Sequence, residues 1–388
     1  MRGVVPRTPV SVNPSRKKFR QKFPFPVWDC QGDRWGCTSA SGLKGAVTLN
    51  GGGNKMDTTY VQWLKGLAIV LVVVGHFYSS FFSSVWIEGA RRVIYLFHMP
   101  LFMVISGFLY ALSRPLPFGA LVKKKALRLM LPYVSISALV LAAKWSAGAV
   151  HFQLQHPVQA DDLWAFLFSP HRGFATFLWY IYSLFVIFCL VRALEAARTP
   201  LWLMFSLALG LRFVPLPSYF CLNLVGAHLV YFVFGMGLKR LSGTGVFNAQ
   251  RGMGAAMAGC WAGFGLLAWL ILAKGISGGG WSILAAILGI LSCWTLALCY
   301  GRRPASFLAW IGGASSAIYL LHTIIMGIIR YVWEQGIGVD SRRAQMLFFA
   351  SSISLAVMLP AMLQRFVLDR FPKASKVLLG AAPGRNRA

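Results

Sequence analysis

Three histidines stand where a lipid bilayer would surround them. His76 closes an aliphatic run eleven residues after Lys65, in Lys65-Gly-Leu-Ala-Ile-Val-Leu-Val-Val-Val-Gly-His76. His98 lies in Phe97-His98-Met99-Pro100-Leu101-Phe102, with Ser106-Gly107-Phe108 downstream, and His322 closes Ser316-Ala-Ile-Tyr319-Leu-Leu-His322. Bilayer interiors penalise polar side chains, so an ionisable residue there is a functional candidate by default. A positioned neutral imidazole can take the proton of a weak nucleophile such as a hydroxyl as it attacks, an effect typically worth about 10²–10⁴-fold. An imidazole can also carry a transferred group covalently. The second chemical group is cationic. Lys123-Lys124-Lys125 and Arg128 follow the second apolar run, and Lys65 sits at the start of the first. Such a cluster suits a polyanion, for instance the phosphates of a nucleotide-containing donor.

Each residue also has a plainer reading. A histidine within a bundle can simply bond a neighbouring helix, and His98 can lie near the headgroups. The lysine run can be a topology determinant. Ser106-Gly107 suits close helix packing, and Pro100 starts or kinks a helix. Trp179, Tyr180 and Tyr182 suggest an interfacial belt. His151, His156, His171 and His228 form no constellation in the sequence, and Asp161-Asp162 is a solvated loop or, alternatively, a catalytic acid pair.

The elements that position these residues are apolar spans. Of 388 residues, 57% are hydrophobic and 12% charged, against about 25% charged in an average soluble domain. Mean hydropathy is +0.62. The fold class is therefore all-α integral membrane. A spanning helix needs about 20 mostly apolar residues, and about ten transmembrane helices are expected, near 63–83, 93–112, 130–149, 174–193, 199–214, 219–238, 253–273, 281–300, 307–329 and 345–364, the fifth being short. Residues 151–173 form the longest loop.

The net charge of +28 sits mostly between spans and at the ends, a pattern of cytoplasmic loops and anionic lipid surfaces rather than of nucleic-acid binding. With the N-terminus inside, inside segments hold 18 Lys and Arg and outside loops 8. Both termini are therefore expected in the cytoplasm, with the histidines in the outer half of the membrane and the cations toward the cytoplasm. Five of the seven cysteines fall in apolar spans, and neither a disulfide framework nor a metal is expected. Residues 1–55 form a basic low-complexity segment, possible translated leader if the natural start is Met56, because Gly51-Gly52-Gly53 would be encoded by a run resembling a ribosome-binding site. The domain proper is expected over 56–370, with a basic cytoplasmic tail at 371–388.

At these residues the chain resembles the integral-membrane acyltransferase 3 family, especially its bacterial fucose-4-O-acetylase-like branch, over about residues 58–370. Four landmarks carry the resemblance: Lys65 with His76; the Phe-His-Met-Pro-Leu-Phe block with its Ser-Gly-Phe at 97–108; Lys124 and Arg128 before Leu131-Pro132-Tyr133; and Ser316, Tyr319 and His322. Gln62 stands where that branch usually has Asp, and Lys65 and Lys124 stand where many members have Arg; lysine keeps the charge but loses the bidentate fork.

The resemblance implies a ten-span O-acyltransferase of the bacterial inner membrane. Its donor would be cytoplasmic acetyl-CoA, with no metal. Its acceptor would be a sugar hydroxyl of a surface or exported polysaccharide or glycolipid, lipid-linked or polymeric. His76, helped by His98, would act as base, with Lys65, Lys123, Lys124, Lys125 and Arg128 toward the donor and Ser106, Tyr319 and His322 as further candidates. Two rivals remain at this stage. A multispan transporter or flippase for a glycan or lipid-linked precursor would carry similar intramembrane polar residues, and a lipid-linked-sugar glycosyltransferase would need an external carboxylate such as Asp161 or Asp162.

Overall fold

A computed structural model describes residues 59–77, 85–149, 158–159, 161–245, 252–301 and 306–380, plus four two-residue strands at Val27–Trp28, Ser39–Ala40, Ala46–Val47 and Met56–Asp57 that pair as two antiparallel ribbons. The readings made for the rest of residues 1–55, and for His151 and His156, fall outside the described residues.

The body is helical: α1 (Thr59–His76), α2 (Val85–Tyr95), α3 (His98–Leu112), α4 (Phe118–Lys125), α5 (Leu131–Ala149), α6 (Asp161–Phe168), α7 (Trp179–Ala196), α8 (Leu201–Leu211), α9 (Leu222–Ser242), α10 (Met253–Lys274), α11 (Gly279–Tyr300), α12 (Phe307–Gly313), α13 (Ser315–Val332), α14 (Arg342–Phe366) and α15 (Pro372–Leu379). By length and composition, 9 helical stretches among the described residues can cross a membrane. The expected fifth span is the exception: α8 has 11 residues, about 17 Å at 1.5 Å per residue, against a hydrocarbon core of about 30 Å.

Helix direction follows from which ends meet. His76 ends α1, whereas His98 begins α3, Trp179 begins α7 and Ser282 lies in the first turn of α11; all four line one cavity. Arg212, just past the end of α8, lines it too. Short as it is, α8 thus returns the chain to the cavity face.

Close approach of helices is built from glycine. A Cβ at Gly107 would strike the Phe232 carbonyl, and one at Gly235 the Val104 carbonyl, so α3 and α9 pack backbone to backbone. Gly66 faces the Leu308 carbonyl and Gly312 the Gln62 carbonyl, which seats α12 on the start of α1. Without a hydrophobic driving force in lipid, small residues that admit such approach hold bundles together. Gly107 therefore does the packing work expected of the Ser106-Gly107 pair.

A π-helical turn, Ala126–Met130, joins α4 to α5. Pro132 lacks the N–H that an α-helix would direct at the Arg128 carbonyl, and its ring would crowd that carbonyl; a wider turn relieves both. α15 docks there: Gly380 lies against the Arg128 carbonyl with φ +65, and the Ser135 hydroxyl donates to the Val377 carbonyl at 2.7 Å. The segment after residue 370, expected as a tail, thus includes a helix packed on the bundle through residue 380. In the 151–173 segment, α6 begins with Asp161 and Asp162, and Asp162 Oδ2 accepts the Gln159 N–H at 2.8 Å. Acidic residues at a helix start are stabilised by the helix dipole, which accounts for this pair structurally.

Candidate active site

α2 ends at Tyr95, and the chain turns through Leu96 and Phe97 before α3 begins at His98. Phe97 can turn tightly because Gly289 on α11 leaves room for its ring. Pro100 sits in the first turn of α3, where a missing N–H removes no helical bond, so this proline starts the helix and does not kink it. The turn puts His98 Nδ1 2.9 Å from the Ile94 carbonyl. A carbonyl can only accept, so the proton is on Nδ1 and the Nε2 lone pair is left as the base. His98 is 3% exposed.

The same device recurs twice. His322, fully buried, places Nδ1 3.1 Å from the Ile318 carbonyl and 2.8 Å from the Tyr319 carbonyl. Its Nε2 has no hydrogen-bond partner among the described residues. His228 on α9 places Nδ1 2.8 Å from the Leu224 carbonyl. All three rings therefore present Nε2 as an acceptor.

His76 brings the group together. Its ring centroid lies 5.2 Å from that of His322 and 6.5 Å from that of Tyr95, which in turn lies 4.8 Å from His98. The three rings of His76, Tyr95 and His98 line a cavity of about 310 Å³ with Trp179, Arg212 and His228. His322 stands just behind His76. Beyond His322, α13 continues for ten residues to Val332, about 15 Å, so α13 rises past the cavity, which α1, α3 and α7 meet at their ends. Among the described residues no Asp or Glu lines it.

The remaining candidates occupy other places. Tyr319 lines the cavity, and its hydroxyl donates to the Phe177 carbonyl. Ser106 does not reach the cavity: its hydroxyl pairs with that of Tyr180 at 3.0 Å, tying α3 to α7 beneath it. Lys65 bonds Gln62 Oε1 at 3.3 Å and lies eleven residues, about 17 Å along the helix, from His76. Lys123 and Lys124 are exposed on α4, Lys125 Nζ lies 3.5 Å over the Phe188 ring, and Arg128 is in the π-helical turn. Beside them Arg192 Nε donates to the Leu116 carbonyl at 2.6 Å, and the Tyr110 hydroxyl donates to Glu195 at 2.6 Å. This cationic group is at the end of α3 away from the cavity. Histidines and cations thus form two layers about 20 Å apart, as the length of α3 dictates.

Several lining residues were not singled out as site residues from the sequence, among them Trp179, His228 and Arg212. Trp179, expected in an interfacial belt, lines the cavity 5.0 Å, ring to ring, from His228, and Tyr180 of that belt is buried under it. His228 and Arg212 are ionisable residues beside or within apolar helices, and that signal, used for His76, identifies them as well. His171 is elsewhere, 3.8 Å from Cys221 Sγ.

A family described as an acyltransferase domain matches residues 58–363. The chain belongs to this acyltransferase 3 family. It is a membrane acyltransferase, and this membership decides against the transporter and glycosyltransferase readings. The acyltransferase is 25% identical to nodulation protein NolL of Mesorhizobium japonicum over 387 residues, covering 88% of this chain and 95% of that protein. It is 26% identical to NolL of Sinorhizobium fredii over 201 residues, 47% of this chain and 52% of that one. It is 27% identical to inner membrane protein YcfT of Escherichia coli over 302 residues, 71% and 81% of the two chains. No solved structure matches it.

Proposed function

We propose that the acyltransferase moves an acetyl group from acetyl-CoA to a sugar hydroxyl of a surface or exported polysaccharide or glycolipid. The observation that carries this reading is the cavity in which His76 and His98 face a common space, with the proton of His98 fixed on Nδ1. A sugar hydroxyl placed there gives its proton to the His76 imidazole, assisted by His98, while its oxygen attacks the thioester carbon. The new C–O bond forms, the C–S bond breaks, and the imidazolium returns the proton to the departing thiolate. His322 packs behind His76 and sets its ring position. Lys65, Lys123, Lys124, Lys125 and Arg128 hold the donor's phosphates on the face away from the cavity.

In this reading both termini are cytoplasmic, the cavity opens toward the outside of the inner membrane, and the donor's pantetheine arm lies between the layers along α3, so that its thioester reaches the histidines. Two features support it: the basic residues gather on the cation face, and no carboxylate among the described residues lines the cavity. The test uses membranes containing the protein, supplied with acetyl-CoA labelled in the acetyl group. Label in ester linkage to membrane glycan supports the reading. Its absence with every acceptor glycan from the native host, while the protein is present and folded, defeats it.

A further inference from the structure

Among the described residues, Arg212 is the one permanently charged side chain lining the cavity. Its Nε is buried without a hydrogen-bond partner, no carboxylate among the described residues pairs with it, and its Nη2 lies 3.5 Å from the Ser282 hydroxyl. The Tyr231 hydroxyl is its neighbour. A half-buried guanidinium whose Nε has no partner is stabilised when something negative occupies the space beside it. The helices add to its field. The first turns of α3, α7 and α11 reach the cavity, through His98, Trp179 and Ser282, and none has a side-chain cap. Helix starts carry partial positive charge and unbonded N–H groups. With no acid among the described residues of the lining, one wall of the cavity is built for an anion and the other holds the base.

We propose that Arg212, with Tyr231 and Ser282, forms an anion subsite, and that the acceptor carries a carboxylate or phosphate beside the hydroxyl that is acylated. Arg212 is a positioning residue: its planar fork grips a carboxylate or phosphate oxygen pair and fixes the sugar against His76 and His98. This deepens the proposed reaction and rests on the cavity being the acceptor site.

The test measures binding without acyl transfer. Detergent-solubilised wild type, Arg212→Gln and Arg212→Lys are thermally unfolded with glucose, glucuronate or inorganic pyrophosphate. A ligand that binds only the folded state raises the unfolding temperature with concentration. An anionic probe is expected to raise it in wild type where glucose does not, with binding weakened about tenfold or more in Arg212→Gln and partly kept in Arg212→Lys. A dominant glucuronate response identifies an acidic sugar; a dominant pyrophosphate response that is lost in Arg212→Gln identifies the phosphate linkage of a lipid carrier, because pyrophosphate held by the donor cations would stay bound in that variant. Equal response to glucose and anions, or an undiminished anion response in Arg212→Gln, overturns the proposal. If Arg212→Gln does not fold, the double variant Tyr231→Phe/Ser282→Ala takes its place, and unchanged anion binding there overturns it equally. Intact probe binding with no acetyl transfer would sink the proposed reaction and leave the subsite standing.

Discussion

Replacing Gly235 with alanine is expected to damage both the fold and the chemistry, while the same change at Gly237, one turn-half away on α9, does neither. Alanine is the better helix former at both positions, by about 1 kcal/mol. At Gly237 nothing lies within 4 Å of a new Cβ, so that preference is unopposed. At Gly235 the Cβ would fall on the Val104 carbonyl of α3, deep inside contact distance. Non-bonded carbon atoms settle at about 3.5–4.0 Å, so α3 and α9 must part by more than about 1 Å. Overpacking of this kind costs about 1–3 kcal/mol, enough to outweigh the helix preference. The same two helices carry His98 and His228, six and seven residues from the contact, so the gap opens toward the cavity. A displacement of about 1 Å at reacting groups can cost about 10²-fold in rate. The assay is thermal unfolding in detergent together with acetyl transfer in membranes for both variants. Wild-type unfolding and wild-type rate in Gly235→Ala would refute the packing argument and the link from it to the site.

Further outcomes follow from the same geometry. His98→Gln is expected to fold with wild-type unfolding temperature and lose about 10²–10⁴-fold in acetyl transfer, as loss of general-base help predicts. Ser106→Ala removes one of two partners of the Tyr180 hydroxyl, leaving the Phe102 carbonyl at 3.4 Å, and should lower stability by about 1 kcal/mol, read as a fall in unfolding temperature. The pair Lys124→Gln and Arg128→Gln should raise KM for acetyl-CoA with kcat largely kept, the mark of lost uniform binding; a fall in kcat alone would contradict the donor assignment. Asp161→Asn with Asp162→Asn should leave acetyl transfer within about twofold, since both lie at the solvated start of α6, and an abolished activity would contradict the capping role given to Asp162.

Much of the site is legible in the chain because the cost of polar groups in lipid is local to each residue. His76, His98 and His322 stand out for that reason, and the structure brings them together. The layering is legible too, because helix rise converts residue number into depth. What needed three dimensions is adjacency. His228 and Arg212 obey the same rule, but no nearby motif ties them to His98; the crossing of α3 and α9, set by Gly107 and Gly235, makes His228 its neighbour, and the packing of α8 against α9 brings Arg212 to the same cavity. Trp179 resembles a belt residue because indole at a span end has the same signature whether it faces lipid or a cavity. The short α8 follows from its composition: the chain from Leu211 to Cys221 contains Pro215 and Pro217 and two consecutive left-handed residues, Phe220 and Cys221, with φ of +54 and +56, so the helix stops early and a strained turn completes the pass.

The central claim is that the imidazole of His76 removes the acceptor's proton. Cells expressing wild type or His76→Ala at equal, membrane-inserted levels can be compared by mass spectrometry of their surface glycans. The account predicts an added acetyl group with wild type and none with His76→Ala. The same acetyl increment in both would contradict it.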